Sequence, residues 1–254
     1  MERPTEPAGH ETFRLGYVPG ATPAKWARVF RSRHRAVALE LVPLAAGEAE
    51  RAVRDGTVDA AILRPPVDRD VLHAIPLYVE EPVVLVSREH VLAALDESEA
   101  VAISDLADEV LLQPADDVLR WAGTPGAEVD AIARPGSAPR HVPGTTLEAV
   151  ELVAAGVGVV VVPRSLARLH HRKDVTARTL EDGPTAPVVL AWSIEREDDR
   201  TEDLIGIVRG RTVNSSRGRA RPAAKEDAGA RRTKPSPPRG RKPAGRGRRG
   251  RPSR

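Results

Sequence analysis

The sequence contains no cysteine among its 254 residues. Disulfide bonds, thiolate metal sites and a cysteine nucleophile are therefore excluded. Aromatic residues make up only 3% of the chain whereas hydrophobic residues make up 41%, so the core has to be built from valine, leucine, isoleucine and alanine. No apolar run approaches the roughly 18 residues of a membrane-spanning helix, and residues 1–11 lack the apolar stretch of a secretory signal. These absences predict a cytoplasmic protein without a membrane partner.

Catalytic and metal-binding motifs are also missing from the sequence. It has no HExxH, GxSxG, Walker or dinucleotide-binding glycine pattern, and its seven histidines are scattered. The acidic pairs Asp116-Asp117 and Asp198-Asp199 are typical of helix starts. Because nothing supplies a nucleophile, a base and an orienting group together, we predict no catalytic residue, no metal site, no cofactor and no enzymatic activity.

Charge is divided unevenly along the chain, although the net charge is only +3. Residues 211–254 contain 13 arginines and 3 lysines against two acidic residues, which gives +14, whereas residues 1–210 carry −11. This C-terminal segment is rich in proline and glycine and nearly lacks hydrophobic residues, so it cannot bury enough apolar area to offset its ordering entropy. We predict a disordered basic tail over residues 209–254, whose partner is a nucleic acid or another acidic surface.

Two short motifs in this tail resemble the core of an AT-hook. One is an uninterrupted Arg-Gly-Arg-Pro, and the other has Lys242 inserted before its proline. In such a hook, glycine lets the backbone run deep in the narrow A·T minor groove while the arginines lie along it. The predicted DNA-binding residues are Arg239, Gly240, Arg241, Arg249, Gly250, Arg251 and Pro252. Two alternatives stay open: binding to phosphates without sequence preference, and folding of the tail onto the acidic remainder of the chain.

Strand and helix patterns alternate from residue 12 onward. Alternating strands over 12–18, 37–42 and 58–63 are separated by helical patterns that begin at Thr22-Pro23 and at Gly47. A βαβαβ order with short connections favours a parallel sheet that has helices on its faces. Further strands are predicted over 71–78, 82–86, 109–113, 175–179 and 187–193. Further helices are predicted over 87–95, 116–121, 165–170 and 199–208.

Residues 142–163 are the most informative stretch of the chain. Thr145 or Thr146 can cap a helix, and Glu148 follows Thr145 at the spacing of a capping box. Gly156 can end that helix in the left-handed conformation. The apolar run 157–162 is rich in β-branched residues, which is typical of a strand covered on both faces.

Candidate ligand-binding residues follow from this alternation, because ligands of parallel α/β sheets bind beyond the carboxyl ends of the strands. An arginine ends the third strand and could hold a carboxylate, and the start of a capped helix favours anions. The predicted ligand-binding residues are Thr22, Arg64, Pro65, Gly144, Thr145 and Thr146. The alternatives are that the threonines only cap helices, and that Arg64 is solvated or paired with Asp59 or Asp68.

Residues 12 to about 208 resemble the effector-binding domain of LysR-type transcriptional regulators. The resemblance rests on the order and spacing of four stretches rather than on any one of them. These stretches are Phe13-Arg14-Leu15-Gly16, residues 58–66, residues 78–86, and residues 146–165 with Gly156, Gly158 and Pro163.

The resemblance implies an α/β, type 2 periplasmic-binding-protein-like fold: two α/β subdomains joined by crossing strands, with a small-molecule effector in the cleft. Subdomain I would cover 12–84 and 165–208, and subdomain II 85–164, after a flexible leader over 1–11. In this family a winged helix-turn-helix and a linker helix precede the effector domain. Only eleven residues precede Thr12, so we expect any DNA contact to come from the tail or from a partner.

The resulting hypothesis is a ligand sensor in transcriptional regulation, cytoplasmic or associated with the nucleoid. It would bind a small anion, such as an organic acid, form a homodimer and contact DNA through its basic tail. The alternative is a tethering protein without a ligand, which pairs with a full-length LysR-type regulator or with nucleic acid. An enzyme on the same fold is disfavoured because no catalytic set is present.

Overall fold

The computed structural model describes residues 12–96, 98–124 and 130–210. The leader predicted for residues 1–11 and the basic tail from residue 211 lie outside these ranges. The strands are β1 (Thr12–Tyr17), β2 (Ala38–Pro43), β3 (Ala60–Leu63), β4 (Leu72–Glu80), β5 (Pro82–Ser87), β6 (Val101–Ala102), β7 (Leu111–Leu112), β8 (Val159–Pro163), β9 (Val175–Glu181) and β10 (Ala186–Ser193). The α-helices are α1 (Ala24–Arg33), α2 (Ala49–Arg54), α3 (Thr146–Ala154), α4 (Arg164–Leu169) and α5 (Asp199–Val208).

The first sheet has the strand order β2-β1-β3-β10-β4. Its first three strands are parallel, with Leu15 opposite both Leu41 and Ala60, and β10 is antiparallel to β3 and β4. The parallel βαβαβ unit predicted from the sequence is therefore confirmed. Because β1 and β3 run the same way, the segments that follow Tyr17 and Leu63 emerge at the same edge of this sheet.

The second sheet has the strand order β6-β9-β5-β8-β7. The chain crosses into it between Glu80 and Pro82 and returns between Glu181 and Ala186. The predicted subdomain boundaries differ from this path, since they assign residues 82–84 and all of 165–208 to subdomain I. Strand β9 instead pairs with β5, Val83 opposite Thr179, because its backbone completes the edge of β5 that β8 leaves free.

Two valine-rich strands form the centre of the second sheet, and their side chains alternate between its faces. Val84, Val86, Val159 and Val161 pack into one core cluster. The intervening residues Val83, Leu85, Val160 and Val162 pack into another, together with α3. Both runs are buried because each face of the sheet is covered, which confirms the interpretation of the run 157–162 as a strand covered on both faces.

The cap and stop signals of α3 lie where the sequence predicts them. Thr145 Oγ1 accepts a hydrogen bond from the Glu148 amide at 3.2 Å. Gly156 follows the helix with a φ of +72°. The predicted start and end of α3 are thus confirmed. The strand that follows, β8, begins at Val159 rather than at residue 157.

Two predicted helices are wrong. Within 87–95 only a single 3-10 turn forms, over Val91–Ala94, because the His90 ring accepts a hydrogen bond from the Leu92 amide at 3.2 Å. Within 116–121 no helix forms, because Asp117 Oδ1 accepts the Leu119 amide at 2.8 Å. In both segments a side chain binds a backbone amide two residues on, a local bond that competes with helical hydrogen bonding.

Candidate ligand-binding cleft

A cavity of about 630 Å³ lies between the carboxyl edge of the first sheet and an irregular segment of the second. The first-sheet side consists of residues around the start of α2 and the end of β3, including Glu50 and Arg64. The opposite side consists of residues 113–115 and 117–120 with Thr124 and Val142. Most of the walls are apolar, so charges inside them act in surroundings that screen them less than water does.

Arg64 is a deeply buried cation that lines this cavity. Its side chain is only 6% exposed, and Nη2 forms a salt bridge of 2.7 Å with Glu80 Oε2. Its Nε and Nη1 are buried and have no hydrogen-bond partner among the described residues. A buried donor without a partner costs free energy, so this guanidinium is short of acceptors. Neither Asp59 nor Asp68 is its partner, contrary to one alternative from the sequence.

Ser165 and Glu80 form a hydrogen-bonded group with Arg64. Ser165 Oγ donates to Glu80 Oε2 at 2.9 Å and lies 3.4 Å from Arg64 Nη2. Glu80 ends β4 just before the chain crosses between the sheets, and Ser165 lies in the first turn of α4. Gly20, with a φ of +84°, packs so closely on Ser165 that a Cβ there would overlap Oγ. Glu80 of β4 and Ser165 of α4 therefore orient the arginine.

Asp117 and Arg120 also line the cavity, and the sequence did not mark either as a ligand-binding residue. Arg120 Nη2 donates to the carbonyl oxygen of Pro65, which links the irregular segment to the end of β3. Desolvation by burial lowers the pKa of Arg120. Burial raises the pKa of Asp117 to about 6, although the Leu119 amide and the side chains of Gln113 and Trp121 donate to it and Arg134 attracts its charge.

The predicted residues at the start of α3 already have partners within the chain. The Gly144 amide donates to Glu148 Oε2 at 2.7 Å. The Thr146 hydroxyl donates to Asp116 Oδ1 at 2.8 Å. These two carboxylates balance the positive end of the helix dipole, so an added anion would meet negative charge there. None of Gly144, Thr145 and Thr146 lines the cavity that contains Arg64.

Thr22 lies apart from Arg64. It lines a second cavity, of about 690 Å³, with the turn after β1, the end of β2, and Ser165, Arg168 and Leu169. Of the six predicted ligand-binding residues, the structure thus brings together Arg64 and Pro65 in one cavity and places Thr22 in another. The predicted DNA-binding residues of the tail lie outside the described ranges.

Two negative findings apply to the described residues only. They contain no helix that is long and apolar enough to cross a membrane. Within the same ranges, no three histidine or acidic side chains come together in a group that could hold a metal ion.

Comparison with known sequences places the chain in a family. A family profile described as the LysR substrate binding domain matches residues 8–212. The chain is 28% identical over 206 residues to the Hca operon transcriptional activator HcaR of Escherichia coli (strain K12), covering 79% of this chain and 68% of HcaR. It is 26% identical over 180 residues to the HTH-type transcriptional regulator AlsR of Bacillus subtilis (strain 168), covering 70% of this chain and 57% of AlsR. Both relatives are transcriptional regulators, and the chain spans about two thirds of one and less than two thirds of the other.

Solved structures agree with this fold. The BenM effector binding domain with its effector benzoate has a TM-score of 0.63 at 22% identity, covering 80% of this chain and 92% of that chain. The oxidised form of OxyR has a TM-score of 0.61 at 20% identity, covering 78% of this chain and 94% of that chain. Likeness at these identities establishes the type 2 periplasmic-binding-protein-like fold and not the ligand. With the profile matching most of its length, the chain belongs to the LysR substrate-binding domain family.

Proposed function

We propose that this chain senses a small organic acid, whose carboxylate binds Arg64 in the cavity between the two sheets. The observation that carries the proposal is the pair of buried guanidinium nitrogens without partners, on a side chain that is 6% exposed. An incoming carboxylate would satisfy these donors, and charge-assisted hydrogen bonds of this kind are among the strong ones in proteins. The effector named for the BenM domain, benzoate, is also a carboxylate.

The contacts around Arg64 connect a ligand bound there to both sheets. Glu80 lies at the crossing between the sheets, and Arg120 joins the opposite wall to Pro65. An anion bound to Arg64 would compete with Glu80 for the guanidinium and would lie beside the contact between Arg120 and Pro65. Ligand binding would therefore favour one relative position of the two sheets, as in the hinge closure of binding proteins. The output we propose is transcriptional regulation.

Binding of organic acids to the full chain tests the site, with calorimetric titration as the measurement. We expect Arg64→Lys to weaken the binding of an acid by roughly 10- to 100-fold, since a lysine cannot reproduce the fork of donors and a hydrogen bond to a charged group contributes about 1.5–3 kcal/mol. Arg51→Lys is the matched control, because Arg51 is 77% exposed and outside the cavity. Equal affinities in wild type and Arg64→Lys would place the ligand elsewhere.

The basic tail supports a second part of the proposal, contact with DNA. Residues 211–254 carry +14 whereas the remaining residues carry −11, and binding through phosphate contacts falls steeply as salt displaces them. We expect deletion of 211–254 to abolish retention on DNA at low salt and the salt dependence of binding, measured by fluorescence anisotropy with A·T-rich and G·C-rich duplexes. Unchanged binding after the deletion would overturn this part. Equal affinity for the two duplexes would exclude the hypothesis that Arg249-Gly250-Arg251-Pro252 acts as an AT-hook.

A tethering protein without a ligand remains the alternative function. The tethering hypothesis differs from the sensor hypothesis in one measurable respect, because it predicts that no organic acid stabilises the folded chain. A ligand at 100 times its dissociation constant adds about 2.7 kcal/mol to the unfolding free energy. A thermal-denaturation screen in which no acid raises the melting temperature would favour the tether over the sensor.

A further inference from the structure

The cavity that contains Arg64 also contains a carboxyl group that the proposed function does not use. We propose that Asp117 is a specificity-determining residue, which makes the cleft prefer an acid that carries a hydroxyl or amino group over the plain carboxylic acid of the same size. The inference rests on the proposed function, since it takes the carboxylate of the ligand to be held at Arg64.

The geometry around Asp117 fixes its carboxyl group and leaves it capacity to accept. Its Oδ1 accepts the Leu119 amide at 2.8 Å, in a turn that sets the path of the irregular segment. The side chains of Gln113 and Trp121 also donate to it. A carboxylate has about four acceptor positions, so these donors orient the group and leave it capacity to accept from a ligand. A donor on the ligand can therefore bind a group that is already in place.

The charge of Asp117 also weakens the binding of a plain carboxylic acid. The charged groups facing this region are Glu50 from α2, Arg64 from the end of β3, Arg120 from the same segment as Asp117, and Arg134. When Asp117 is ionised, a plain carboxylate is repelled by it, and like charges in surroundings of low polarity interact strongly. A hydroxyl or ammonium group on the ligand replaces part of this repulsion with a hydrogen bond to a charged acceptor.

The protonation of Asp117 gives a second, independent signature. Burial raises its pKa to about 6, so the group is ionised at pH 7.5 and mostly neutral at pH 5. Above pH 6 a plain acid meets a negative charge, and below it the charge is gone. Affinity for a plain acid should therefore rise as the pH falls through about 6, as long as the ligand itself stays ionised. Asparagine at this position has no such titration.

The experiment titrates the full chain with acids that differ by one hydroxyl: propionate and lactate, butyrate and 2-hydroxybutyrate, succinate and malate, and benzoate with its monohydroxy derivatives. Wild type is compared with Asp117→Asn at pH 7.5 and pH 5. Asp116→Asn is the matched control, because the neighbouring Asp116 accepts from Thr146 and does not line the cavity. Circular dichroism spectra and unfolding midpoints show that each variant is folded.

In wild type at pH 7.5 we expect the hydroxy acid of at least one pair to bind about tenfold more tightly than the plain acid, and we expect Asp117→Asn to remove most of that preference. Affinity for the ionised form of the plain acid, corrected for the acid's own titration, should rise about tenfold between pH 7.5 and pH 5 in wild type and in Asp116→Asn, and stay level in Asp117→Asn. Equal binding within every pair, lost in Arg64→Lys, would overturn this inference and leave the proposed function standing. Binding of no acid at all would overturn both.

Discussion

Replacement of Glu80 by alanine is expected to lower the unfolding free energy by about 3–5 kcal/mol, because Arg64 would remain buried without its counter-charge. The two side chains are 6% and 12% exposed, and their atoms are 2.7 Å apart. Ser165 Oγ would lose its acceptor at the same time. Urea denaturation followed by circular dichroism measures the change, which should appear as a lower midpoint with an unchanged slope.

The neighbouring residue provides a matched control for this prediction. Glu81 is 73% exposed and pairs with Arg164 at 3.3 Å. An exposed pair of this kind contributes little, typically below about 1 kcal/mol, so Glu81→Ala should leave the midpoint almost unchanged. If Glu80→Ala and Glu81→Ala cost the same, the buried pair is not a structural element and the orientation of Arg64 needs another explanation.

A double variant separates the stabilising role of this pair from its role in binding. Replacing a buried ion pair by apolar residues of similar size is often neutral or stabilising, since both charges leave the interior together. Arg64→Met with Glu80→Met should therefore unfold close to wild type and yet bind no acid. A double variant that is stable and still binds the acid would show that the ligand does not need Arg64.

Much of the fold follows from sequence patterns that span few residues. The valine runs of β5 and β8, the cap at Thr145 and the stop at Gly156 each depend on neighbours within one element, so periodicity and capping predict them. The helices expected over 87–95 and 116–121 fail for the opposite reason. His90 and Asp117 bind backbone amides two residues on, and hydrophobic spacing does not reveal that competition.

The site was predictable only in part, because its contacts join distant parts of the chain. Arg64 stands out as an arginine at a strand end. Its partner Glu80 is 16 residues away and Ser165 is 101 residues away, while Arg120 reaches Pro65 across 55 residues. No local pattern identifies such partners. The start of α3 was predicted to bind a ligand, but a partner inside the chain already occupies it. The Glu148 side chain accepts the Gly144 amide that a ligand could have used.

Replacement of Trp121 by alanine is expected to cost about 3–5 kcal/mol of unfolding free energy, the usual range for a large buried aromatic side chain. Trp121 is 1% exposed and packs in the cluster of Val84, Val86 and Val159. Together with Leu119, it anchors the irregular wall of the cavity to the second sheet. Chemical denaturation gives the stability change, and titration with an acid that binds wild type shows the effect on the cavity.

A phenylalanine at the same position distinguishes anchoring from hydrogen bonding. Trp121→Phe keeps most of the buried apolar surface but removes the donor to Asp117, so it should lose less stability than Trp121→Ala. Without that donor the charged form of Asp117 is less stabilised, and its pKa should rise further above 6. The pH at which a plain acid gains affinity would shift upward with it. If Trp121→Phe left that pH unchanged, the indole would act by packing alone, and Asp117 would owe its position to Leu119 and Gln113.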